Sequence, residues 1–372
     1  MSSFPTMKMN SRFTGDVDDM YNIHGHAGNL CREAILEGLG RTINSRSEHL
    51  AVQPVSIADF GTADGRASLS LINEMIDAIQ AGLGQKQPIL VYYNDQPMND
   101  FNLLSKAIQG NTHDPGLNIT GSVYPVIVPR TMYEQCLPDD SLDLGISTVA
   151  THYLSKQVCQ IKHGIYFKEA DDGEQKLIRQ QGKADWRAYV ISRGRELKPG
   201  GFLITLTVSS NDKGELSSAF ENGISPLGSV MSDMAREGII TQEEYLATNW
   251  NAYMERTADD FKEPFTCPLP EIEELGLELV SIKPINHYLR HPTFDIINKD
   301  TTDKLKYSQR IVAMVYPWFH HVIYRGLSDS RTEDEKEMIT DQYFSRIQTH
   351  AFEHSDFKPY MIFTEVVITK SM

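Results

Sequence analysis

The sequence predicts an α/β fold, in which a mostly parallel sheet is covered by helices. Two features of the chain predict this fold. An apolar run at 55–60 reaches Asp59 and a glycine turn before a helical pattern begins, and a second apolar run at 89–94 leads into Asp95. One helix fits between the two runs, as in a β-α-β unit. Because the carboxyl ends of parallel strands meet at one edge of a sheet, we expect both acids to face one ligand there.

Further strands and helices are expected along the chain. The β-prone runs that predict core strands lie at 55–60, 89–94, 119–124, 142–147 and 202–208. Helical patterns run from about 29 to 43, 66 to 81 and 184 to 196. The last of these helices stops at a turn made of Lys198, Pro199 and two glycines.

The second half of the chain changes character. From about 215 to 274 the pattern is mostly helical, which predicts a cap over the strand ends. Beyond residue 309 the pattern predicts a helix into Tyr324, an exposed acidic helix start at 328–338 and a closing strand at 361–370.

The turn after the first strand, GTADGR at 61–66, predicts a nucleoside site. Glycine lets the backbone approach a ligand closely, and a carboxylate such as Asp95 can accept hydrogen bonds from both hydroxyls of a ribose. The turn lacks the third glycine of a dinucleotide site, and Asp95 follows later than the roughly 20 residues typical of that site. A single nucleoside without a pyrophosphate therefore fits better. The glycine turn taken alone is equally consistent with plain helix-sheet packing.

The composition excludes several classes of function. The 372 residues carry a formal net charge of −15 with a pI near 5.2, which argues against a nucleic-acid partner. The chain has no apolar run of about 18 residues and no signal-peptide pattern, so we expect a cytoplasmic protein without a membrane partner. The 4 cysteines lie far apart and the 12 histidines show no ligand spacing, so we expect no bound metal.

Four motifs together resemble one enzyme family. They are IADFGTADG at 57–65, YNDQPMNDFN at 93–102, GSVY at 121–124 and STVATHYLS at 147–155. Their order is similar to that of the SABATH carboxyl methyltransferases, which use S-adenosylmethionine to methylate small carboxylic acids, with a side branch that methylates xanthine nitrogens. The resemblance continues through 186–208, 231–245 and 265–285.

The resemblance implies the architecture of the whole chain. It implies a Rossmann-like class I methyltransferase sheet with a mostly helical cap, in a homodimer. Residues 1–28 would form an amino-terminal segment that closes over the site, 29–214 and 276–372 the core, and 215–275 the cap.

The resemblance also implies the residues of the site. The implied cofactor residues are Tyr21, Asp59, Gly61, Asp95, Gln96, Ser122 and Val123. Val123 stands where the family usually has phenylalanine beside the adenine. Tyr153 stands at the position of a tryptophan that donates to the substrate carboxylate, and Gly28 at that of a glutamine with the same role. A phenol still donates a hydrogen bond, whereas glycine does not.

The remaining substrate residues are open at this stage. Asn29, His24, His26 or His152 could supply the donor that Gly28 lacks. By rough register, the candidate apolar walls are Val149, Ile224, Met231, Met314 and Phe319, although a methionine or phenylalanine at helical spacing is more often plain core. For His152 the pattern slightly favours a satisfied structural histidine over a donor to the substrate.

The expected reaction forms the methyl ester of an aromatic or dicarboxylic acid. A carboxylate with a pKa near 4 is ionised at neutral pH, so no general base is required, and we expect residues that only position the reactants. Three alternatives remain: methylation of a heterocycle nitrogen, a cofactor-binding protein without catalysis, and a nicotinamide-dependent oxidoreductase. A nicotinamide-dependent oxidoreductase would require the complete glycine motif of a dinucleotide site, which this chain lacks.

Overall fold

The protein is built on one mixed sheet. The computed structural model describes residues 28–47, 53–110, 116–119, 121–217, 226–267, 269–288 and 292–372. Within these residues the strands are β1 (Val55–Phe60), β2 (Ile89–Asp95), β3 (Val123–Pro129), β4 (Leu142–Thr148), β5 (Leu197–Val208), β6 (Leu277–Tyr288) and β7 (Tyr360–Lys370). Their spatial order is β3-β2-β1-β4-β5-β7-β6. Strands β1 to β5 run parallel to one another, and β7 runs antiparallel to both β5 and β6.

Helices cover the sheet and extend beyond it. They are α1 (Arg32–Ser47), α2 (Arg66–Leu83), α3 (Phe101–Gln109), α4 (Asp172–Glu196), α5 (Leu227–Arg236), α6 (Gln242–Ala247), α7 (Ala258–Thr266), α8 (Pro270–Glu274), α9 (Pro292–Asp295), α10 (Thr301–Gly326) and α11 (Glu333–Glu353). A short 3₁₀ helix occupies Phe167–Glu169. None of the helices in the described ranges is long and apolar enough to cross a membrane.

The sequence explains why these elements form where they do. Every residue of β1 is buried, which suits a strand at the centre of a sheet with helices on both faces. The apolar residues of α2 recur at helical spacing and enter the core, among them Leu69, Ile72, Met75, Ile76 and Ile79. Capping boxes begin α4 at Asp171, α6 at Thr241 and α11 at Thr332.

The helical layer above the sheet is assembled from two parts of the chain. Helices α5 to α8 lie between β5 and β6 in sequence, and α11 packs against α5 while α10 packs against α6. The Tyr343 hydroxyl donates to the Leu227 carbonyl at 3.2 Å, and Arg331 pairs with Glu244 at 2.5 Å. The Arg331 guanidinium and two backbone N–H groups hold the pKa of Glu244 near 2, against the effect of burial. The two carboxyl-terminal helices therefore hold the inserted helices in place.

Most expected elements are confirmed. The strands expected at 55–60, 89–94 and 142–147 are β1, β2 and β4, and the helix expected at 184–196 is the second half of α4. The strand expected at 119–124 is wrong, because β3 begins only at Val123 and runs to Pro129. Ile119 is 53 % exposed and precedes the turn at 121–122, so this apolar residue belongs to the loop before the strand.

Candidate active site

Two adjoining cavities open at the edge of the sheet where β1, β2 and β4 end. The Asp59 cavity is lined by Asp59, Gly61, Thr62, Ala63, Asp64, Ala67, Ser68, Thr148, Val149, His152, Tyr153, Val208, Trp250, Met254, Trp318 and Met361. The Asp95 cavity is lined by Gly61, Ala63, Asn94, Asp95, Gln96, Asn99, Thr131, Met132, Tyr133, Val149, Ala150, Tyr153 and Leu154. Gly61, Ala63, Val149 and Tyr153 belong to both, so a ligand that passes between the cavities touches these four residues.

Asp59 presents one unused carboxylate oxygen. The side chain is 2 % exposed, and its Oδ2 accepts a hydrogen bond from Ser68 Oγ at 2.6 Å. Its Oδ1 is buried and has no hydrogen-bond partner among the described residues. Burial raises the pKa of this carboxyl, while the nearby hydroxyls of Ser68 and Thr62 oppose the shift. A buried acceptor without a donor is costly, and a cationic group in the cavity would satisfy it.

The turn after β1 needs glycine at position 61. Gly61 has φ of +80°, and a Cβ at this position would overlap the Cβ of Ala150 in the neighbouring loop. Its N–H donates to the carbonyl of Asn94 at 2.9 Å, which ties the end of β1 to the end of β2. The glycine therefore lets two loops approach each other beside the ligand space.

Asp95 sits at the end of β2 with its carboxylate fixed from two sides. The N–H of Ala63 donates to Oδ2 at 2.6 Å, and the N–H of Gln96 donates to Oδ1 at 2.7 Å. Burial raises the pKa of this carboxyl to about 6, while these two N–H groups oppose the shift. Each oxygen retains a lone pair for a further donor, as two ribose hydroxyls would require.

The loop after β4 carries Val149 and Tyr153, two of the four residues shared by both cavities. Val149 has φ of +61°, which is strained for a β-branched residue, and its N–H donates to the Leu206 carbonyl at 2.7 Å. The phenol of Tyr133 hydrogen-bonds the carbonyl of Tyr153, and the fully buried Arg256 donates to the carbonyl of Thr151 at 2.9 Å. These contacts fix the backbone of the loop.

His152 is a neutral, buried member of the Asp59 cavity. It is 4 % exposed, and its Nδ1 has no hydrogen-bond partner within the described part of the chain. Burial lowers its pKa to about 3, and the positive charge of Arg256 adds to the effect. The ring lies 4.4 Å from that of Tyr153, centroid to centroid. A neutral imidazole retains one N–H donor, so His152 can hold an anion without neutralising it.

Tyr153 stands at the junction of the two cavities. Its burial raises the pKa of the phenol, and its interaction with the indole of Trp250 opposes this shift. The hydroxyl is therefore protonated at neutral pH and available as a donor.

The structure corrects the position expected for the adenine residues. Ser122 and Val123 lie at the amino-terminal end of β3, and Val123 pairs with Ile89 at the start of β2. The Ser122 hydroxyl donates to the Gln85 carbonyl at 2.8 Å. Both residues are thus at the edge of the sheet opposite to Asp95. The motif GSVY matched by letters alone, and the parallel register of β2 and β3 places other residues beside Asp95.

Four expected substrate residues also lie elsewhere. Met231, Met314 and Phe319 are each 0 % exposed and pack in the hydrophobic core, outside both linings, so the core interpretation of these residues applies. Asn29 is exposed at the start of the helical turn before α1 and lines neither cavity. Tyr21 and Ile224 lie outside the described residues, as do His24 and His26.

Several lining residues were missed by the sequence analysis. The Asp59 cavity is also lined by Trp250, Met254, Trp318 and Met361, and the Asp95 cavity by Thr131 and Met132. Pro129 pairs with Asp95, so Thr131 follows the end of β3 directly beside the acid. That register was the signal available for Thr131 and Met132. Nothing in the local pattern marks the tryptophans, which come from remote segments.

These features fit one adenosyl ligand with a charged tail. Asp95 would hold the ribose, and the unused oxygen of Asp59 faces a position for a cation such as the ammonium of a methionine tail. Across the ranges that the structure describes, no group of three or more histidine, cysteine, aspartate or glutamate side chains is arranged to hold a metal ion.

Comparison with known proteins adds independent findings. A family model described as SAM dependent carboxyl methyltransferase matches residues 7–355. The chain is 28 % identical over 194 residues to a methyltransferase of Fusarium sp, LUC1, an alignment that covers 51 % of this chain and about half, 48 %, of that relative. It is 25 % identical to a farnesoic acid carboxyl-O-methyltransferase of Arabidopsis thaliana, over 63 % of this chain and 70 % of the relative. The solved structure of a loganic acid methyltransferase with SAH superposes with a TM-score of 0.68 at 16 % identity and covers 99 % of both chains, which shows the same fold.

Proposed function

This chain belongs to the family of SAM-dependent carboxyl methyltransferases, and from that premise we propose that it converts an aromatic monocarboxylic acid to its methyl ester. The observation that carries the choice of acid is the lining of the Asp59 cavity. Trp250, Trp318 and Tyr153 supply aromatic walls, and the described lining residues include no lysine or arginine. Such a cavity suits a flat apolar body with one carboxylate and gives no counter-charge to a second one.

The proposed cofactor residues follow the two cavities. Asp95 and Gln96 would hold the ribose, Thr131 and Met132 would lie beside the adenine, and Asp59 would face the methionine ammonium. S-Adenosylmethionine, when bound, supplies an electrophilic methyl group on a sulfonium sulfur. Because Gly61 and Tyr153 line both cavities, we place the reacting centre beside them.

The protein residues position the acid and keep it ionised. A carboxylate is already a nucleophile at neutral pH, so the site needs donors that hold it without giving up a proton. The Tyr153 phenol and the neutral His152 meet that demand. We propose that His152 supplies the hydrogen bond that a side chain at Gly28 would otherwise give, since Gly28 lines neither cavity and His152 lines the Asp59 cavity.

The helical cap supplies apolar walls that exclude water from the site. We propose that the segment 215–275 forms this cap over a core made of 29–214 and 276–372. The amino-terminal segment expected at 1–28 lies, apart from Gly28, outside the described residues. Met254 from the inserted segment and Trp318 from α10 both line the Asp59 cavity, so the two helical parts exclude water from the carboxylate together.

A methyl-transfer panel tests the proposal. The protein is incubated with S-adenosylmethionine labelled in the methyl group and with benzoate, an indole acetate, a dicarboxylate or xanthine, and products are identified by mass spectrometry. We expect methyl esters of the aromatic monocarboxylates. Esters from the dicarboxylate alone would refute the assigned acid class, and methylation of xanthine nitrogen would favour the heterocycle alternative. Cofactor binding without transfer to any acceptor would indicate a binding protein.

Assembly and location are separate proposals. We propose a cytoplasmic homodimer on the strength of the family resemblance. Light scattering coupled to size-exclusion chromatography checks the dimer, and fractionation of the source cells checks the location. A monomer at micromolar concentration would refute the first.

A further inference from the structure

A buried ion pair lies against the loop that follows β3, at 131–137. Arg193 and Glu196, in the last turn of α4, are each 0 % exposed, and Arg193 Nε donates to Glu196 Oε2 at 2.7 Å. Burial disfavours the charge of the guanidinium, and the contact with Glu196 more than offsets this, so the pKa of Arg193 is raised. The guanidinium carbon also lies 4.0 Å from the ring centre of Phe60, the last residue of β1. The charged pair is thus enclosed between the end of β1 and the 131–137 loop.

Both members of the pair bind the backbone of this loop. Four hydrogen bonds make the connection: Arg193 donates to the carbonyls of Met132 at 2.5 Å and Glu134 at 2.9 Å, and Glu196 accepts from the N–H groups of Cys136 and, at 3.0 Å, of Leu137. Arg193 reaches its partners with Nε and both terminal nitrogens, which is the planar fork that a guanidinium provides and an ammonium does not. The loop is therefore held from inside along most of its length.

The 131–137 loop forms part of the candidate active site. Thr131, Met132 and Tyr133 line the Asp95 cavity, and the Tyr133 phenol hydrogen-bonds the carbonyl of Tyr153, which lines both cavities. The two members of the ion pair line neither cavity. Any influence of the pair on a ligand must therefore pass through the shape of the loop.

Global stability alone is a weak reason for such a pair. Removing two charges from water costs about as much as their attraction returns, so apolar side chains of the same volume often stabilise a core equally well. Apolar side chains at positions 193 and 196 would, however, leave four backbone groups of the loop without these partners. The arrangement therefore favours a role in the shape of the loop.

We propose that Arg193 and Glu196 are positioning residues, which fix the 131–137 loop as a wall of the Asp95 cavity and so set the affinity for the cofactor. The inference deepens the proposed function and rests on it, because that function assigns the cavity to S-adenosylmethionine. The pair acts through the backbone of Met132 and its neighbours, and it touches neither the cofactor nor the acid.

Cofactor binding tests the proposal against a matched control. R193K keeps the charge but loses the fork, so the affinity for S-adenosylhomocysteine, measured by calorimetry, should fall about 3- to 10-fold, as loss of one hydrogen bond implies. R46K is the control: Arg46 likewise bonds a buried carboxylate, that of Asp143, and the carbonyls of Gln53 and Pro54, but it lines neither cavity. Both variants should lose stability to urea, and R46K should keep the affinity within about twofold.

Thiol labelling tests the loop without any ligand. Cys136 is half-buried within the loop, and its thiol donates to the Thr131 carbonyl at 3.3 Å. N-Ethylmaleimide should label Cys136 about tenfold faster in R193K and in E196Q than in the wild type, since each lost hydrogen bond lets the loop open more often. Peptide mass spectrometry reads each cysteine separately. The exposed Cys267 is the internal control, and R46K should leave the rate at Cys136 unchanged.

The two measurements separate the possible failures. E196Q is measured beside R193K in both, so the test stands if one of the two variants does not fold. Equal losses of affinity in R193K and R46K would show a pair that only stabilises the fold, and unchanged labelling of Cys136 would show a loop that the pair does not hold. Either result overturns the proposal while the methyl transfer of the wild type stands. If the wild type binds no S-adenosylhomocysteine, the proposed function fails and the role in cofactor affinity with it, and the labelling rates still decide whether the pair shapes the loop.

Discussion

The two cavities are built in different ways. The lining of the Asp95 cavity comes from residues 61–154, which are the ends of β1 and β2 and the loops after β3 and β4. The lining of the Asp59 cavity reaches from residue 59 to residue 361 and includes side chains from the inserted segment, α10 and β7. The register of the parallel strands determines which residues line the Asp95 cavity, whereas packing between distant segments determines which residues line the Asp59 cavity.

This difference separates cofactor binding from acid binding. The backbone N–H groups of Ala63 and Gln96 hold the Asp95 carboxylate. The position of this carboxylate therefore depends on the backbone at the edge of the sheet. Three walls of the Asp59 cavity, Trp250, Met254 and Trp318, come from the inserted segment and α10, and substitutions there alter its shape without changing a strand of the sheet. One scaffold can thus keep one cofactor and accept different acids. Substitutions in the Asp95 cavity should then affect the cofactor, and substitutions of Trp250, Met254 or Trp318 in the Asp59 cavity should affect mainly the acid.

The largest effect is expected from D95A. The variant removes the carboxylate that we assign to the ribose, and two hydrogen bonds to a charged group are worth about 3–6 kcal/mol together, so the affinity for S-adenosylhomocysteine should fall at least about 100-fold. Calorimetry measures it. D329A is the control, because the Asp329 side chain is fully exposed and lines neither cavity. Near-normal affinity of D95A would contradict the assignment of this cavity to the nucleoside.

The same carboxylate should make cofactor affinity depend on pH. Burial raises the pKa of Asp95 to about 6, so the group is ionised at pH 7.5 and protonated at pH 5. A protonated carboxyl accepts ribose hydroxyls less well, and affinity for S-adenosylhomocysteine should decline as pH falls through about 6, by up to tenfold per unit below it. D95N should bind weakly with no such dependence. A flat profile in the wild type would show that the ionised form is not required.

The turn that joins the cavities should respond strongly to an added methyl group. In G61A the backbone stays at φ of +80° and the new Cβ meets Ala150, which should lower the free energy of unfolding by about 2–4 kcal/mol. G40A is the matched control: Gly40 lies within α1 with open space around it, so alanine should stabilise the helix by up to about 1 kcal/mol. Urea unfolding measures both. Equal stability of the two variants would mean that the turn tolerates a side chain.

The sequence alone predicted part of each cavity. Asp59, Gly61 and Asp95 were predictable because a strand, its turn and its helix are local patterns, and the parallel order of β1 and β2 brings their ends together. Trp250, Trp318 and Met361 reach the Asp59 cavity through packing of distant segments, which no local pattern reports. Met231 shows the converse error, since helical spacing of apolar residues also describes a core face.

Ser122 shows where motif letters mislead. Ser122 and Val123 were assigned to the adenine because the motif GSVY resembles the family's motif. The pairing of Asp95 with Pro129 shows instead that the carboxyl end of β3, not its start at Val123, lies beside Asp95. The strand expected at 119–124 failed for the same reason, because the turn at 121–122 precedes the strand. A register between strands is a tertiary property, and it corrects both errors at once.

Tyr153 lines both cavities, and its substitution should affect the reaction of the acid more than the binding of the cofactor. Y153F removes a donor to the carboxylate but keeps the ring that lines both cavities, so kcat/KM for the acid should fall about 10- to 100-fold, as loss of a charge-assisted hydrogen bond implies. Affinity for S-adenosylhomocysteine should change less than about threefold. Steady-state kinetics and calorimetry on the same preparation measure the two. A parallel loss of both would place the phenol on the cofactor instead.

The smallest effect is expected from S122A, and it tests the corrected position of the adenine residues. The Ser122 hydroxyl donates to the Gln85 carbonyl at the far edge of the sheet, so its loss should cost about 1 kcal/mol of stability and leave the affinity for S-adenosylhomocysteine within about twofold. M132A, at the Asp95 cavity, should weaken the same affinity about 3- to 10-fold through lost contact with the ligand. The two variants test opposite ends of β3, because Ser122 precedes the strand and Met132 follows it. Only the end near Met132 is expected to face the ligand. A larger loss for S122A than for M132A would return the adenine to the opposite edge and undo the separation of the two cavities.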